Sequence, residues 1–487
     1  MSSENLLGRS SVRARLDSDG IFTGNQQLHD PPQSTFLGCI PIPTTEVQTH
    51  IPFKNILWCQ NVETDDASFD ISYVVEHQNS VSVHHATVEL QLLANQTKQD
   101  LTNQVLRMAY GESKVRPSVL VVLNNHGGQG HALSLYKKEV LPVLSAAHVD
   151  ITFMETKYSK HAVEIGREVD INKFDVVACC SGDGIPHEVI NGMYERLDRV
   201  QAFEKLAIAQ IPCGSGNAFS LSSHGSNKPG VAAFHMLKLT RAQLDLMAVT
   251  QGVGVDERTK LSFLSQAYGV IADSDIGTEH LRWMGAIRFE LGIMHKVFTK
   301  AKYPCDLFVS YATKEQDEIQ QHVDKHLQNS TPYRKLSEES FQLKFPGLDQ
   351  PPPSSWEQVP TSTTDYLNIF YVGNMPYMLS DAQFFPAALP DDGLMDLVIT
   401  KTSIPLLTTA KILTSVDNGA HVQSPHTHHA KISAYRLVPR INDSQRHYIS
   451  VDGESFPFEP IQVEIFPRML TVLLQEGTFV KTTFTER

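Results

Sequence analysis

Residues 118–130 read SVLVVLNNHGGQG, and the fold is read from this stretch outward. The run 118–123 is continuously apolar and rich in valine, the composition of a strand buried on both faces of a parallel sheet. A Gly-rich turn follows at once, then a helical pattern over 131–146. The same unit recurs along the chain: strand 149–154 with helix 160–169, strand 175–180 with helix 185–194, and strand 206–211 with a further helix. Strands alternating with helices predict a doubly wound α/β sheet, whose ligands sit at the carboxyl ends of its strands.

Three Gly-rich turns fall at such strand ends: NNHGGQG at 124–130, SGDG at 181–184 running into HEVING at 187–192, and PCGSGN at 212–217. Glycine lets backbone N–H groups turn inward and approach a ligand closely. A turn ahead of a helix N-terminus adds positive dipole, and together these make a phosphate cradle. A single such loop is ordinarily just a tight turn between strand and helix; three in register at one sheet edge point to a ligand. There is no GxxxxGK[ST], Leu133 breaks a GxGxxG, and the HRD and DFG signatures are missing from their places, so the cradle works through backbone groups. Asp183 stands between two glycines, an awkward place for a structural carboxylate. It suits a group that orients a hydroxyl and takes its proton, because phosphoryl transfer has a loose transition state and a weak base suffices.

The remaining sequence sets the context. At roughly 100–200 residues per domain, 487 residues suggest about three domains. Residues 1–34 are polar and read as a disordered tail. Residues 35–112 carry short β-prone runs and a helix over 98–108 with Leu101, Val105 and Met108 on one face. This fits either a pleckstrin-homology-like module or an irregular β appendage. Residues 113–244 hold the α/β pattern. In 245–487 the runs 307–311, 366–372, 395–400, 432–437 and 461–466 read as an antiparallel β-sandwich, with a polar surface insertion at 313–362. A helix over about 278–300 carries Met284, Ile287, Leu291, Met294 and Phe298 at helical spacing, as core or as a gate over a ligand site.

Net charge is −13 and no dense Lys/Arg run occurs, which argues against nucleic acid as a partner. No apolar stretch reaches transmembrane length, and 1–20 has neither a signal-peptide core nor a myristoylation signal. The six cysteines form no CxxC pair, and Cys179 and Cys180 read as buried thiols of a reduced, cytosol-facing protein. His421, His426, His428 and His429 lack the spacing of a metal helix and read as a solvated loop. Asp392 and Asp396 read as shaping a turn and a strand start, and Asp245 as part of a domain-joining strand.

The three loops, in this order and spacing, resemble the diacylglycerol kinase catalytic domain shared by diacylglycerol, ceramide and sphingosine kinases. The broader fold resembles phosphofructokinase and NAD kinase. The segment 261–291 (LSFLSQAYGVIADSDIGTEHLRWMGAIRFEL) resembles the substrate-recognition region of sphingosine kinases. SGDGIPHEVING, IPCGSGNA, GNMPY, FFPAALPDDGLMDLVIT and SVDGESFP resemble fungal long-chain base kinases, and the likeness runs from about 116 to 487 outside the insertion. The resemblance implies transfer of the γ-phosphate of ATP, with Mg2+, to the primary hydroxyl of sphingosine, dihydrosphingosine or phytosphingosine. Ceramide, diacylglycerol, NAD or sugar kinases, and a catalytically silent lipid-binding protein, stand as alternatives.

The resemblance also implies residue roles. Asp183 is the base. Asn124, Gly127, Gly128, Thr156, Ser181, Gly182, Glu188, Gly214, Ser215, Gly216, Arg288, Asp452, Gly453 and Glu454 match nucleotide contacts. Asp275, the second acid of ADSD, matches the group that binds the lipid amine, with Asp273 as its rival and a helix N-cap as its plain alternative. Ser265, Val270, Met284 and Ile287 match the lipid site, and no protein ligand is assigned to a metal. The family's first loop begins Asn-Pro, whereas here it is Asn124-Asn125, which implies a looser loop. Implied partners are a sphingoid base and a membrane surface met peripherally, on endoplasmic reticulum, Golgi or endosome; a homodimer is left open.

Overall fold

The computed structural model describes residues 11–23, 35–36, 40–41, 49–63, 65, 67–125, 130–278, 292, 299–329, 331–380, 382–441 and 447–486. By compactness the chain forms two units: residues 1–117 with 136–151 and 228–238, and residues 118–135, 152–227 and 239–487.

The first unit holds a six-stranded sheet in the order His50–Pro52, Gly20–Phe22, Val12–Leu16, Ser80–Leu90, Ser68–His77, Ile56–Asn61. The expectation of a disordered tail over 1–34 is thereby corrected for residues 12–22. Val12–Leu16 pairs in parallel with Ser80–Leu90, a partner far away in sequence that no local pattern announces. Helix Lys98–Tyr110 begins with a capping box between Thr97 and Asp100 and stops at Gly111, whose φ is 55°. Leu101 and Val105 are buried as expected, and Leu106 and Ala109 complete the stripe, whereas Met108 is exposed. Tyr110 Oη donates to Leu57 O at 2.7 Å and Thr102 Oγ1 to Asn61 Oδ1 at 2.8 Å, fixing the helix on the strand it covers.

In the second unit Ser118–Leu123, Val176–Ser181 and Ala207–Pro212 run parallel, buried along nearly their whole length, as the apolar runs require. Next to Ala207–Pro212 lies Ile461–Leu474, which pairs with it in parallel at Ile208 and Val472. The same strand pairs antiparallel with Thr240–Gln251 and with His428–Pro439. The α/β sheet thus continues into the antiparallel strands of the sandwich. Two apolar cores result, one around Val122, Val189 and Leu470, the other around Val270, Phe370 and Ile432.

Two expectations for this unit are corrected. Residues 313–362 are not a surface appendage. Helix Gln316–Gln328 buries Ile319 and Val323, four apart on a mostly polar helix, and Phe341, Trp356 and Val359 are buried too. Nor do the histidines form a solvated loop, since His421 and His429 are buried and His428 opens strand His428–Pro439. His426 is exposed.

Hydrogen bonding between buried groups explains both corrections. His429 Nε2 meets Asp396 Oδ1 at 2.8 Å, and Lys431 Nζ donates to Asp396 Oδ2 at 2.8 Å and Asp392 Oδ2 at 3.1 Å. His322, on the helix of the insertion, reaches Asp392 Oδ2 at 3.0 Å. Burial pushes the Asp392 carboxyl up, but Lys431 and His322 outweigh it and hold it below its ordinary value. Asp392 still shapes its turn, accepting Leu394 N at 3.0 Å.

Lys431→Met leaves two buried carboxylates without their cation. We expect a loss of about 3–5 kcal/mol at neutral pH, measured by denaturant unfolding. The deficit should narrow as the pH falls, because burial, no longer opposed by Lys431, raises the Asp392 carboxyl and its protonation relieves the charge; an unchanged midpoint would rule out a structural role for the pair.

Candidate active site

The second and third glycine turns interlock through backbone contact. A Cβ added to Gly214 would lie 2.4 Å from Gly182 Cα, and one added to Gly182 would lie 2.8 Å from Gly216 O. Only glycine lets these two backbones approach so closely. Cys213 N donates to Ser181 O at 3.1 Å and Asp183 N to Gly216 O at 3.2 Å. Asn217 closes the third turn on itself, accepting from Gly214 N at 3.2 Å and donating to Gly214 O at 3.0 Å. Ser215 is exposed, and among the described residues the N–H groups of Ser215 and Gly216 find no acceptor. Such a pair of open donors beside glycine-only backbone fits a phosphate.

Asp183 sits where this cradle meets helix Gly184–Tyr194. Sequence reasoning gave it no structural partner; the structure supplies three. Asp183 Oδ1 accepts from Gln210 Nε2 and Phe219 N, both at 3.1 Å, and Oδ2 accepts from Ala218 N at 2.9 Å. The carboxylate therefore also caps helix Ala218–His224. Burial pushes its pKa up to about 6, against the lowering effect of those three donors, and Asp452 adds to the rise. With one donor on Oδ2, that oxygen keeps capacity for a substrate proton. Gln210 was missed from sequence. It is buried, and its Oε1 accepts from Ser220 N at 2.7 Å, so one side chain ties Asp183 to the helix after the third turn. A lone polar residue inside the apolar strand Ala207–Pro212 was the available signal.

Asp452 organises the other wall. Its φ is 51°, a left-handed conformation ahead of Gly453 at 82°. Its Oδ1 accepts from Ser262 Oγ at 2.6 Å, Leu264 N at 3.0 Å and Ser265 N at 2.9 Å. Its Oδ2 accepts from Phe263 N at 3.0 Å and pairs with His187 Nδ1 at 2.8 Å. Asn191, one turn along the same helix, accepts from Leu261 N at 2.9 Å and donates to Leu261 O at 2.8 Å. His187 and Asn191 were also missed, though polar residues four apart on a buried helix face are a readable sign.

The other expected residues fall around this frame. Glu454 is exposed, with Oε1 3.3 Å from where a Cβ on Gly184 would lie. Glu188 accepts from Ala162 N at 3.1 Å, and burial raises its pKa. Thr156 N donates to Leu123 O at 2.8 Å and Asn124 N to Cys180 O at 3.3 Å, bringing both to adjacent strand ends. Asn125 Oδ1 accepts from Leu133 N at 3.2 Å, so the residue that replaces proline tethers the following helix through its side chain. Asp275 is the last residue of helix Val270–Asp275 and accepts from Ser450 Oγ at 2.9 Å; the helix expected after it, which it would cap on the plain alternative, lies almost wholly outside the described residues. A Cβ on Gly453 would lie 3.9 Å from Asp275 Oδ2. Asp273 is bound to Tyr303 Oη at 2.8 Å, His447 Nδ1 at 3.2 Å and Tyr448 N at 3.2 Å. Ser265 lines the turn held by Asp452, and Val270 is fully buried in the core. Gly127, Gly128, Met284, Ile287 and Arg288 lie outside the described residues, as do Leu291, Met294 and Phe298 of the expected gate.

Residues 118–249 match the diacylglycerol kinase catalytic domain, and residues 360–474 match the YegS C-terminal NAD kinase beta sandwich-like domain. The chain is 34% identical over 467 residues to the sphingoid long chain base kinase 4 of Schizosaccharomyces pombe, covering 96% of this chain and 97% of that one. The chain belongs to the sphingoid long-chain base kinase family. It is also 41% identical to the sphingoid long chain base kinase 5 of Saccharomyces cerevisiae, over 79% of this chain and 63% of that longer one. A family relative from Arabidopsis thaliana, sphingosine kinase 1, is 32% identical over 69% of this chain and 68% of its own. A solved putative diacylglycerol kinase from Bacillus anthracis shares the fold, with a TM-score of 0.50 and 19% identity, covering 74% of this chain and 98% of that one.

Were Asp183 the base, its pKa of about 6 would leave it protonated, and idle, below that value. We expect kcat/KM to fall on the acid side with an apparent pKa near 6 and to stay level from about pH 7 to 8. Asp183→Asn should abolish turnover, by a factor of about 100 or more, while nucleotide still binds. A variant retaining a tenth of the activity would exclude Asp183 as the base.

Proposed function

We propose that the protein is an ATP-dependent sphingoid long-chain base kinase, which phosphorylates the primary hydroxyl of sphingosine, dihydrosphingosine or phytosphingosine. The observation that carries this is the placement of two acids about one frame: Asp183 at the interlocked glycine turns and Asp275 beyond Gly453, with Asp452 between them. On this reading the hydroxyl oxygen attacks the γ-phosphorus and a new P–O bond forms. The bond to the β–γ bridging oxygen breaks, ADP leaves, and the hydroxyl proton passes to Asp183 Oδ2. The N–H groups of Ser215 and Gly216 receive phosphate oxygens. Magnesium, when bound, would offset charge on the phosphates; no protein ligand is assigned to it, and Glu188 and Glu454 are assigned to the nucleotide. No group of three or more His, Cys, Asp or Glu suited to a metal occurs among the described residues.

Asp275 is assigned to the lipid amine. A protonated amine entering an apolar site needs an anionic partner, and Asp273 is already committed to Tyr303, His447 and Tyr448. A neutral N-acyl group could offer that carboxylate one N–H but no charge, and diacylglycerol neither, which favours the free base over both.

The lipid is met at a membrane surface, as a peripheral protein would meet it. No helix among the described residues is long and apolar enough to cross a membrane. Helix Leu406–Thr414 exposes Leu406 and Leu407 beside Lys411, an apolar and cationic combination that supports surface contact. The sheet and terminal helix of the first unit support a pleckstrin-homology-like reading of that module.

The test is purified protein with ATP and, separately, sphingosine, ceramide, diacylglycerol and NAD. We expect product from sphingosine; product from ceramide or diacylglycerol instead would replace this reading. Asp275→Asn should raise the sphingosine KM about tenfold or more, in line with a charge-assisted bond of about 1.5–3 kcal/mol. It should leave the ATP KM and the melting temperature in place. An unaltered lipid KM would remove Asp275 from the amine site.

A further inference from the structure

Tyr371 lies on strand Leu367–Gly373, opposite Ala267 of strand Ser265–Gly269. It is 9% exposed. Its ring is held by Phe384 and Phe385, with centroids 4.7 Å and 4.9 Å away. These contacts fix where its hydroxyl points. That hydroxyl meets Ser265 Oγ at 3.3 Å, and the Ser265 N–H is in turn bound to Asp452 at 2.9 Å. The phenol is therefore one residue removed from the frame that spans the base and the amine site.

Its electrostatic surroundings agree with this position. Burial raises the pKa of Tyr371, and the carboxylates of Asp275, Asp452 and Asp183 raise it further, with Ser265 opposing. The phenol stays neutral and keeps its proton. Ser265 Oγ donates to it, and the Tyr371 O–H then has no other acceptor among the described residues. A buried donor proton within Coulombic reach of all three carboxylates is a group placed for a ligand that itself carries an oxygen. Core packing alone would be served equally well by phenylalanine.

Such a ligand oxygen follows from the substrate's chemistry. A sphingoid base carries a primary hydroxyl, an amine on the next carbon and a secondary hydroxyl on the one after. With the primary hydroxyl at Asp183 and the amine at Asp275, the secondary hydroxyl has to lie beside the amine. We propose that Tyr371 donates a hydrogen bond to this secondary hydroxyl and so makes the enzyme selective for 2-amino-1,3-diols over 3-deoxy bases. The inference rests on the sphingoid-base reading above. The bond adds a third point of attachment, and with it control over which stereoisomer fits.

The experiment compares dihydrosphingosine with its 3-deoxy analogue in wild type and Tyr371→Phe, each with an ATP KM and a melting curve. Wild type should favour the diol by about tenfold in kcat/KM, the size of one hydrogen bond. Tyr371→Phe should lose about that factor on the diol and stay within about twofold on the 3-deoxy base, so that the preference collapses. Equal losses on both lipids, or none on the diol, would overturn the proposal in favour of a packing role. A wild type that phosphorylates both bases equally well would overturn it while leaving the sphingoid-base activity intact. Failure of wild type on every sphingoid base would instead defeat the parent reading.

Discussion

A single buried carboxylate holds the site together. Asp452 accepts from Ser262, Leu264 and Ser265 on one oxygen and from Phe263 and His187 on the other. Such a group is costly to bury unless every lone pair is matched, and here the donors come from two distant chain segments. His187 brings in the helix that follows Asp183; the 262–265 turn leads into the strand and short helix that carry Asp275. Because these bonds share one acceptor, the helix after Asp183 and the 262–265 turn ahead of Asp275 are tied to the same carboxylate. The left-handed backbone at Asp452 and the glycine after it are the conformational cost of pointing that carboxylate inward.

Asp183 works against the opposite constraint. It is desolvated enough to raise its pKa to about 6, yet its place beside two glycine turns would leave it unsupported. Capping the helix Ala218–His224 resolves this. The donors from Ala218 and Phe219 and from Gln210 steady the carboxylate, while burial still outweighs them and lifts its pKa. The same glycines that leave the N–H groups of Ser215 and Gly216 open allow the two turns to touch.

The buried charges of the sandwich show the same logic in a structural setting. Lys431 lies fully buried between Asp392 and Asp396, and His322 draws the helix of the insertion onto this group. This is why a segment polar in composition folds into the core. Most of its charges stay exposed; what binds it to the sandwich is His322 together with the buried Ile319, Val323, Phe341 and Trp356, a few contacts that its polar composition masks.

By itself the sequence determined the alternation of strand and helix from 118 to 212, the three glycine turns and the isolation of Asp183 between two glycines. These features are local: apolar runs of strand length and glycine at turns report on backbone geometry within a few residues. Only the tertiary structure decided what the polar side chains are for. Gln210, His187, Asn191 and Tyr371 acquire meaning from partners between 10 and 265 residues away along the chain. It likewise separated Asp275 from Asp273, two acids of one tripeptide, by giving Asp273 to Tyr303, His447 and Tyr448. Hydrogen bonds between distant segments leave no periodicity in the sequence, so their geometry becomes legible only after the strands have paired.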